Sequence, residues 1–304
     1  MISLNQALPL LEPRISNIWN ESYPQRPVEY TSYVNIREAK KRVITDYKLS
    51  DFGPLRFKGE GEPVQYDDAL FGPIKEYTPV RFAEGYKITQ EMVDKELYGQ
   101  VEKFERGLIK SAVDLQEVTA ALLFNNGFGT TNTDGFSATG FDSLALFSTA
   151  HTRLDGGAVL RNRPSTDVDL GVTALQNALI DWHTQNLDER GRPQLIRPKL
   201  LLVHPNDMFT ARELLQSEFK PGTANNEINA LREEGLSFMV SHYFTDSDAW
   251  FLLGDQHDLN FLWDVRPRGG MEEDFDTEVI KRKIVEGFFV GHGEWRGTYG
   301  SSGG

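Results

Sequence analysis

Residues 89–125, TQEMVDKELYGQVEKFERGLIKSAVDLQEVTAALLFN, decide the fold. Val93, Leu97, Val101, Phe104, Leu108, Ala112, Leu115, Val118 and Leu122 recur every three or four positions, the apolar stripe of a helix. Glu91, Asp94, Lys103, Glu105, Lys110 and Glu117 fall mostly off that stripe. Thr89 is placed to cap the start, Glu91 suits the positive end of the dipole, and Asn125-Asn126-Gly127 supplies the stop. About 36 residues at ~1.5 Å each predict a rod of roughly 50 Å, longer than an ordinary globular helix. Gly99 and Gly107 are the points where it can bend, admit another backbone or break into two helices.

Upstream, residues 41–88 carry two β-leaning stretches, Val43–Leu49 with Leu55-Arg56-Phe57, and Tyr77–Phe82 with Tyr86-Lys87-Ile88. Lys58-Gly59-Glu60-Gly61-Glu62-Pro63 between them is a turn-forming tip with little to bury. The pattern predicts a long hairpin. Pro54, Pro63, Pro73 and Pro79 cannot donate ladder bonds, which makes it either an edge or a two-stranded projection that rests on another surface. Residues 1–40 mix Pro9, Pro13, Pro24 and Pro27 with Trp19, Tyr23, Tyr30 and Tyr33. That composition opposes long helices while offering large apolar side chains, and predicts an extended arm.

Downstream, 126–165 is rich in Gly, Thr, Asn and Asp and reads as loops. A helix is expected over about 166–185, a doubly buried strand at Lys199–Val203, and a helix over Asn206–Gln216. Further strands are expected around Phe238–Val240, Trp250–Leu253 and Asn260–Trp263, with a long terminal strand from Val279. The whole reads as α+β.

Composition narrows the function classes. Acidic residues outnumber basic ones 45 to 32, and a net charge of −13 argues against tight nucleic-acid binding over a broad face. Cys is absent, which removes thiolate nucleophiles, disulfides and Cys-based metal sites. The segment Met1–Pro13 has no basic leader pattern and no stretch is apolar enough to span a bilayer, so a soluble chain used inside a cell is expected.

A search for chemistry mostly fails. His151, His183, His204, His242, His257 and His292 are dispersed, none in an i, i+4 zinc pair, and suit capping, loop or solvated roles. Gly135–Gly140 departs from a nucleophile elbow because its second Gly comes one residue late. Asn132–Gly135 and Asp246-Ser247-Asp248 read as capped turns rather than calcium loops, and Glu272–Asp276 as a solvated connector. No catalytic residue, cofactor or metal is assigned.

An arm, a hairpin, a long helix, an α+β insertion and a closing strand suit a subunit whose extensions lie on neighbours. In this order the chain resembles the tailed-bacteriophage major capsid proteins of the Hong Kong 97 fold, and among them is similar to the Mu-like major head subunit. The resemblance is carried by Leu146–His151, Gln185–Pro193, Ile196–Pro205, Asp248–Leu252 and Trp295–Gly300. It implies an N-terminal arm over 1–40, an extended hairpin loop over 41–88, and a peripheral domain with its spine helix over 89–139. An axial domain over 140–265 and a return to the peripheral domain over 266–304 complete it.

The resemblance further implies a non-enzymatic structural protein of the virion, assembled in the cytoplasm of a bacterial host. Its hexamers and pentamers would close into an icosahedral shell around double-stranded DNA that is bound without sequence specificity. A portal protein and a separate scaffold or decoration protein are the implied partners; because the chain reaches its aromatic arm without the helical scaffolding segment of some relatives, a separate scaffold is implied, or none. Arg56, Phe57, Lys58, Glu60 and Glu62 at the hairpin tip are the expected intersubunit contacts, with charge pairs setting register. Two alternatives stand beside this reading: an encapsulin-like compartment of the same fold, and a soluble carboxylate-dependent hydrolase.

Overall fold

The computed structural model describes residues 4–95, 98–219, 228–274, 277 and 279–304. In chain order its first elements are α1 (Leu4–Ser22), β1 (Asn35–Glu38), β2 (Ile44–Leu49), β3 (Phe71–Tyr77), β4 (Val80–Thr89), α2 (Gln90–Asp94) and α3 (Tyr98–Asn125). There follow α4 (Val172–Gln185), β5 (Pro198–Val203), α5 (Met208–Gln216), β6 (Ser237–Val240), β7 (Trp250–Gly254), β8 (Leu259–Asp274), β9 (Val279–His292) and β10 (Thr298–Ser301). The chain divides into two units. One holds 1–44, 78–120 and 261–290; the other holds 45–77, 121–260 and 291–304.

The first unit is built on the sheet β1-β8-β9-β4. β4 and β9 pair antiparallel from Val80 opposite Phe288 to Thr89 opposite Val279. Gly85 is required in that pair, because a Cβ there would lie 2.4 Å from the Arg282 carbonyl oxygen. Ile88 and Ile280 meet Leu11, Ile15, Val93 and Val101 in one apolar cluster. Tyr30 stacks on Phe261 at 4.8 Å, and Phe261 on Phe288 at 4.7 Å.

The helix α1 corrects the expected extended arm. Interior Pro costs a helix about 3 kcal/mol, and Pro9 and Pro13 both lie inside this one. Leu11, Ile15 and Ile18 nonetheless fall at helical spacing and are all buried. Each such burial contributes about 1.5–3 kcal/mol, enough to offset the prolines.

The long helical stripe is real but interrupted. Thr89 caps α2, its Oγ1 accepting from the Met92 amide, and Glu91 pairs with Lys95 one turn on. α2 then closes at Lys95, α3 resumes at Tyr98, and the stripe residue Leu97 lies outside the described residues. Gly107 stays inside α3. The expected stop holds, since the Gly127 amide turns back to the Phe124 carbonyl. Two stripe members, Phe104 and Val118, are exposed, while Glu105, Gln116 and Glu117 are buried.

The second unit contains the sheet β10-β7-β5-β6 and the ribbon β2-β3. β5 pairs parallel with β6 and antiparallel with β7, and Leu201, Leu202 and Val203 are fully buried, as a doubly covered strand requires. Leu175, Leu179 and Trp182 of α4 join Ala211 and Leu214 of α5 in the same core. Phe124, Phe147, Phe244 and Phe251 form an aromatic knot, Phe124 and Phe251 with ring centres 5.0 Å apart. α4 begins later than expected, at Val172, and the terminal strand β10 pairs with β7.

Candidate intersubunit surface

The ribbon β2-β3 is rooted by buried charge. Lys48 of β2 places its Nζ 2.8 Å from Glu189 Oε1 and 3.2 Å from Glu294 Oε2. Arg296 Nη1 lies 2.7 Å from the same Glu189 oxygen and 2.8 Å from Glu294 Oε1. A buried ion costs several kcal/mol unless compensated, and here two cations face two carboxylates. Burial works to raise the Glu189 carboxyl, but Arg296 and then Lys48 outweigh it and hold it low.

On β3, Lys75 Nζ donates to the carbonyls of His292, at 2.7 Å, and Thr139. Burial pushes its ammonium down to about 8 against the pull of Asp258 and Asp142. Both limbs of the hairpin are therefore tied to their own unit by lysines.

Beyond the root the hairpin loses its ladder. Among residues 50–70 there is no strand, only a turn at Glu60 and Gly61, the latter with φ +80°. The expected hairpin is thus confirmed at its base and corrected at its end: Leu55-Arg56-Phe57 is not a strand, and the returning limb is β3 rather than Tyr77–Phe82.

The tip exposes what a monomer would bury. Leu55, Phe57 and Tyr66 are 102%, 94% and 93% exposed, and Phe52, Val64 and Phe71 are exposed as well. Scattered surface hydrophobics are ordinary, but here six lie within residues 52–71, which makes this stretch the candidate interaction surface.

Arg56 donates to Gln65 Oε1 at 2.7 Å across the two limbs, and Glu62 Oε2 accepts from the Gly59 amide at 3.0 Å. Lys58 and Glu60 are exposed. The structure so places all five expected contact residues on one solvent-facing tip. Leu55 and Tyr66, equally exposed, were not singled out from sequence; their signal was bulk and apolarity within a stretch crowded by Gly and Pro.

His151, His204, Asn132 and Asp246 serve structure. His151 is buried, with Nδ1 2.6 Å from Asp142 Oδ2 and Nε2 3.0 Å from Asn162 Oδ1, and stacks on Trp295 at 4.3 Å. His204 caps the turn before α5 by accepting from the Asn206 amide. Asn132 accepts from the Ala138 amide and Asp246 from the Asp248 amide, so both acidic segments are capped turns.

A family profile described as phage capsid protein matches residues 74–301. No curated protein matches the chain. Three solved structures illustrate the likeness. A subunit of the procapsid of bacteriophage JBD30 superposes with a TM-score of 0.53 at 12% identity, covering 97% of this chain and 74% of that one. The capsid of the myovirus XM1 gives 0.50 at 12% identity, with 92% and 93% covered. The capsid of cyanophage P-SCSP1u gives 0.54 at 8% identity, with 90% and 88% covered. At such identities the likeness establishes the fold.

Proposed function

Because this chain belongs to the phage capsid protein family and has the Hong Kong 97-type fold of a structural major capsid protein, we propose that its copies assemble as hexamers and pentamers. In this reading they close an icosahedral shell around double-stranded DNA, and the tip at Arg56, Phe57, Lys58, Glu60 and Glu62 is an intersubunit contact. The observation that carries this is the exposure of Leu55, Phe57 and Tyr66 on a segment without backbone ladder. Burying each on a neighbour would contribute up to about 1.5–3 kcal/mol before ordering costs. Repetition around a symmetric ring turns modest contacts into a stable assembly.

The role is structural rather than enzymatic, and the likeness to capsid proteins supports it. A net charge of −13 suits a wall that must not grip packaged DNA. We place assembly in the host cytoplasm, with a portal protein and a separate scaffold or decoration protein as partners. A Mu-like head subunit is the nearest reading, on the five segments that carry that resemblance.

Deleting Gly59–Pro63 tests the contact. Shell formation, followed by electron microscopy, should fail while helical circular dichroism stays intact. Normal shells from the deletion would refute the assignment.

A further inference from the structure

We propose that Arg190 is the positioning residue that aims the hairpin tip, acting as a side-chain rung where the backbone ladder stops. The inference rests on the reading of that tip as an intersubunit contact.

The last backbone rung joins the Ser50 amide to the Leu70 carbonyl at 2.9 Å, reinforced by Ser50 Oγ accepting from the Leu70 amide at 2.8 Å. Immediately beyond it the Arg190 guanidinium bridges both limbs. Its Nε donates to the Asp51 carbonyl at 2.8 Å and its Nη2 to the Asp68 carbonyl at 2.6 Å. The remaining corner, Nη1, lies 3.3 Å from Asp67 Oδ2, which also accepts from the Gly53 amide at 2.7 Å. All three nitrogens of the fork are engaged, by two backbone oxygens and one carboxylate on opposite limbs of the tip. Lysine offers one nitrogen and cannot make this span.

Arg190 is itself delivered by a stiff loop. Asp188 Oδ1 accepts from the amides of Arg190, at 2.9 Å, and Arg192, at 2.7 Å, while Arg192 Nε closes on Asp188 Oδ2 at 2.6 Å. Gly191 takes φ +78°, which a side chain would strain. Its other neighbour, Glu189, is locked by Lys48 and Arg296. Adjacent residues of one loop thus grip β2 and the tip. The tip's own side-chain contacts, Gly53 to Asp67, Arg56 to Gln65 and Gly59 to Glu62, join it only to itself. Ordering a segment before it binds removes part of the entropy cost of binding.

The absence of cysteine makes the test clean. Spin labels at Val64→Cys on the tip and Gln176→Cys on α4, in full-length chains diluted into unlabelled ones, report the tip's spread of positions by pulsed electron resonance. The expected result is a narrow distance peak in the parent that is lost in both Arg190→Ala and Arg190→Lys. Unlabelled versions of both variants should lose shell yield at an unchanged thermal midpoint. A peak as narrow in Arg190→Ala as in the parent, or full rescue by Arg190→Lys, overturns the proposal; should Arg190→Ala not fold, Arg190→Lys decides alone. Normal shells from the Gly59–Pro63 deletion would sink the contact reading while leaving the peak-width result standing, so the two failures are told apart.

Discussion

Glu117 and Glu286 are carboxyls buried away from water. Burial pushes each up to about 7, although the amides of Glu29 and Tyr30 pull Glu117 down and Gln116 pulls Glu286 down. Glu286 Oε2 accepts from Gln116 at 2.7 Å, but its buried Oε1 has no partner among the described residues. A carboxyl raised in the folded state binds more protons there than when unfolded, so stability is full below the ordinary carboxylate range and is lost as pH rises through about 7. Glu286→Gln, which cannot ionise, should raise the thermal midpoint at pH 8 and change little at pH 5, as scanning calorimetry would read. An equal shift at both pH values would refute this account. Glu105, by contrast, meets Arg282 through two contacts of 2.7 and 3.1 Å, both side chains buried. Arg282→Ala should therefore cost about 3–5 kcal/mol in chemical denaturation, because it strands a buried charge. None of these three glutamates was legible as buried, since a charged residue on a helix, as Glu105 and Glu117 are, or on a strand, as Glu286 is, reads as solvated until its partner, distant in sequence, is known.

The helices show where pattern suffices and where packing overrides it. For α3, periodicity and terminal chemistry located the body and the Asn125 stop, because both are local. They did not locate the separation from α2 or the turn of the buried face toward Ile109, Val113 and Phe124, which depends on what the helix packs against. At α1 proline content misled outright: the rule that Pro breaks helices prices the backbone alone, whereas Leu11, Ile15 and Ile18 decide the outcome through burial. Leu11→Ala or Ile15→Ala should then cost about 2–5 kcal/mol each and raise proteolysis in residues 4–22. Wild-type protection in both variants would show that α1 is not held by that face. The hairpin was legible as an element because Gly, Pro and charge cluster in 58–63. Arg190 was not, because its partners lie more than a hundred residues away in the chain.

For the whole molecule the apolar bookkeeping comes out unevenly. The N-terminal segment, expected to need a sister copy, satisfies Leu11, Tyr30 and Tyr33 within its own unit. The hairpin tip does not: its root is tied down by Lys48 and Lys75, yet Leu55, Phe57 and Tyr66 stay in solvent. In the reading proposed above, a chain that buries one extension and leaves the other bare divides its apolar surface between folding and assembly. The most direct test is a cryo-electron-microscopy reconstruction of particles formed by the full-length protein. The account predicts closed shells in which Leu55, Phe57 and Tyr66 of each copy are covered by another copy. Particles with those three side chains in solvent, or a protein that stays a 34.4 kDa monomer under every assembly condition, would contradict it.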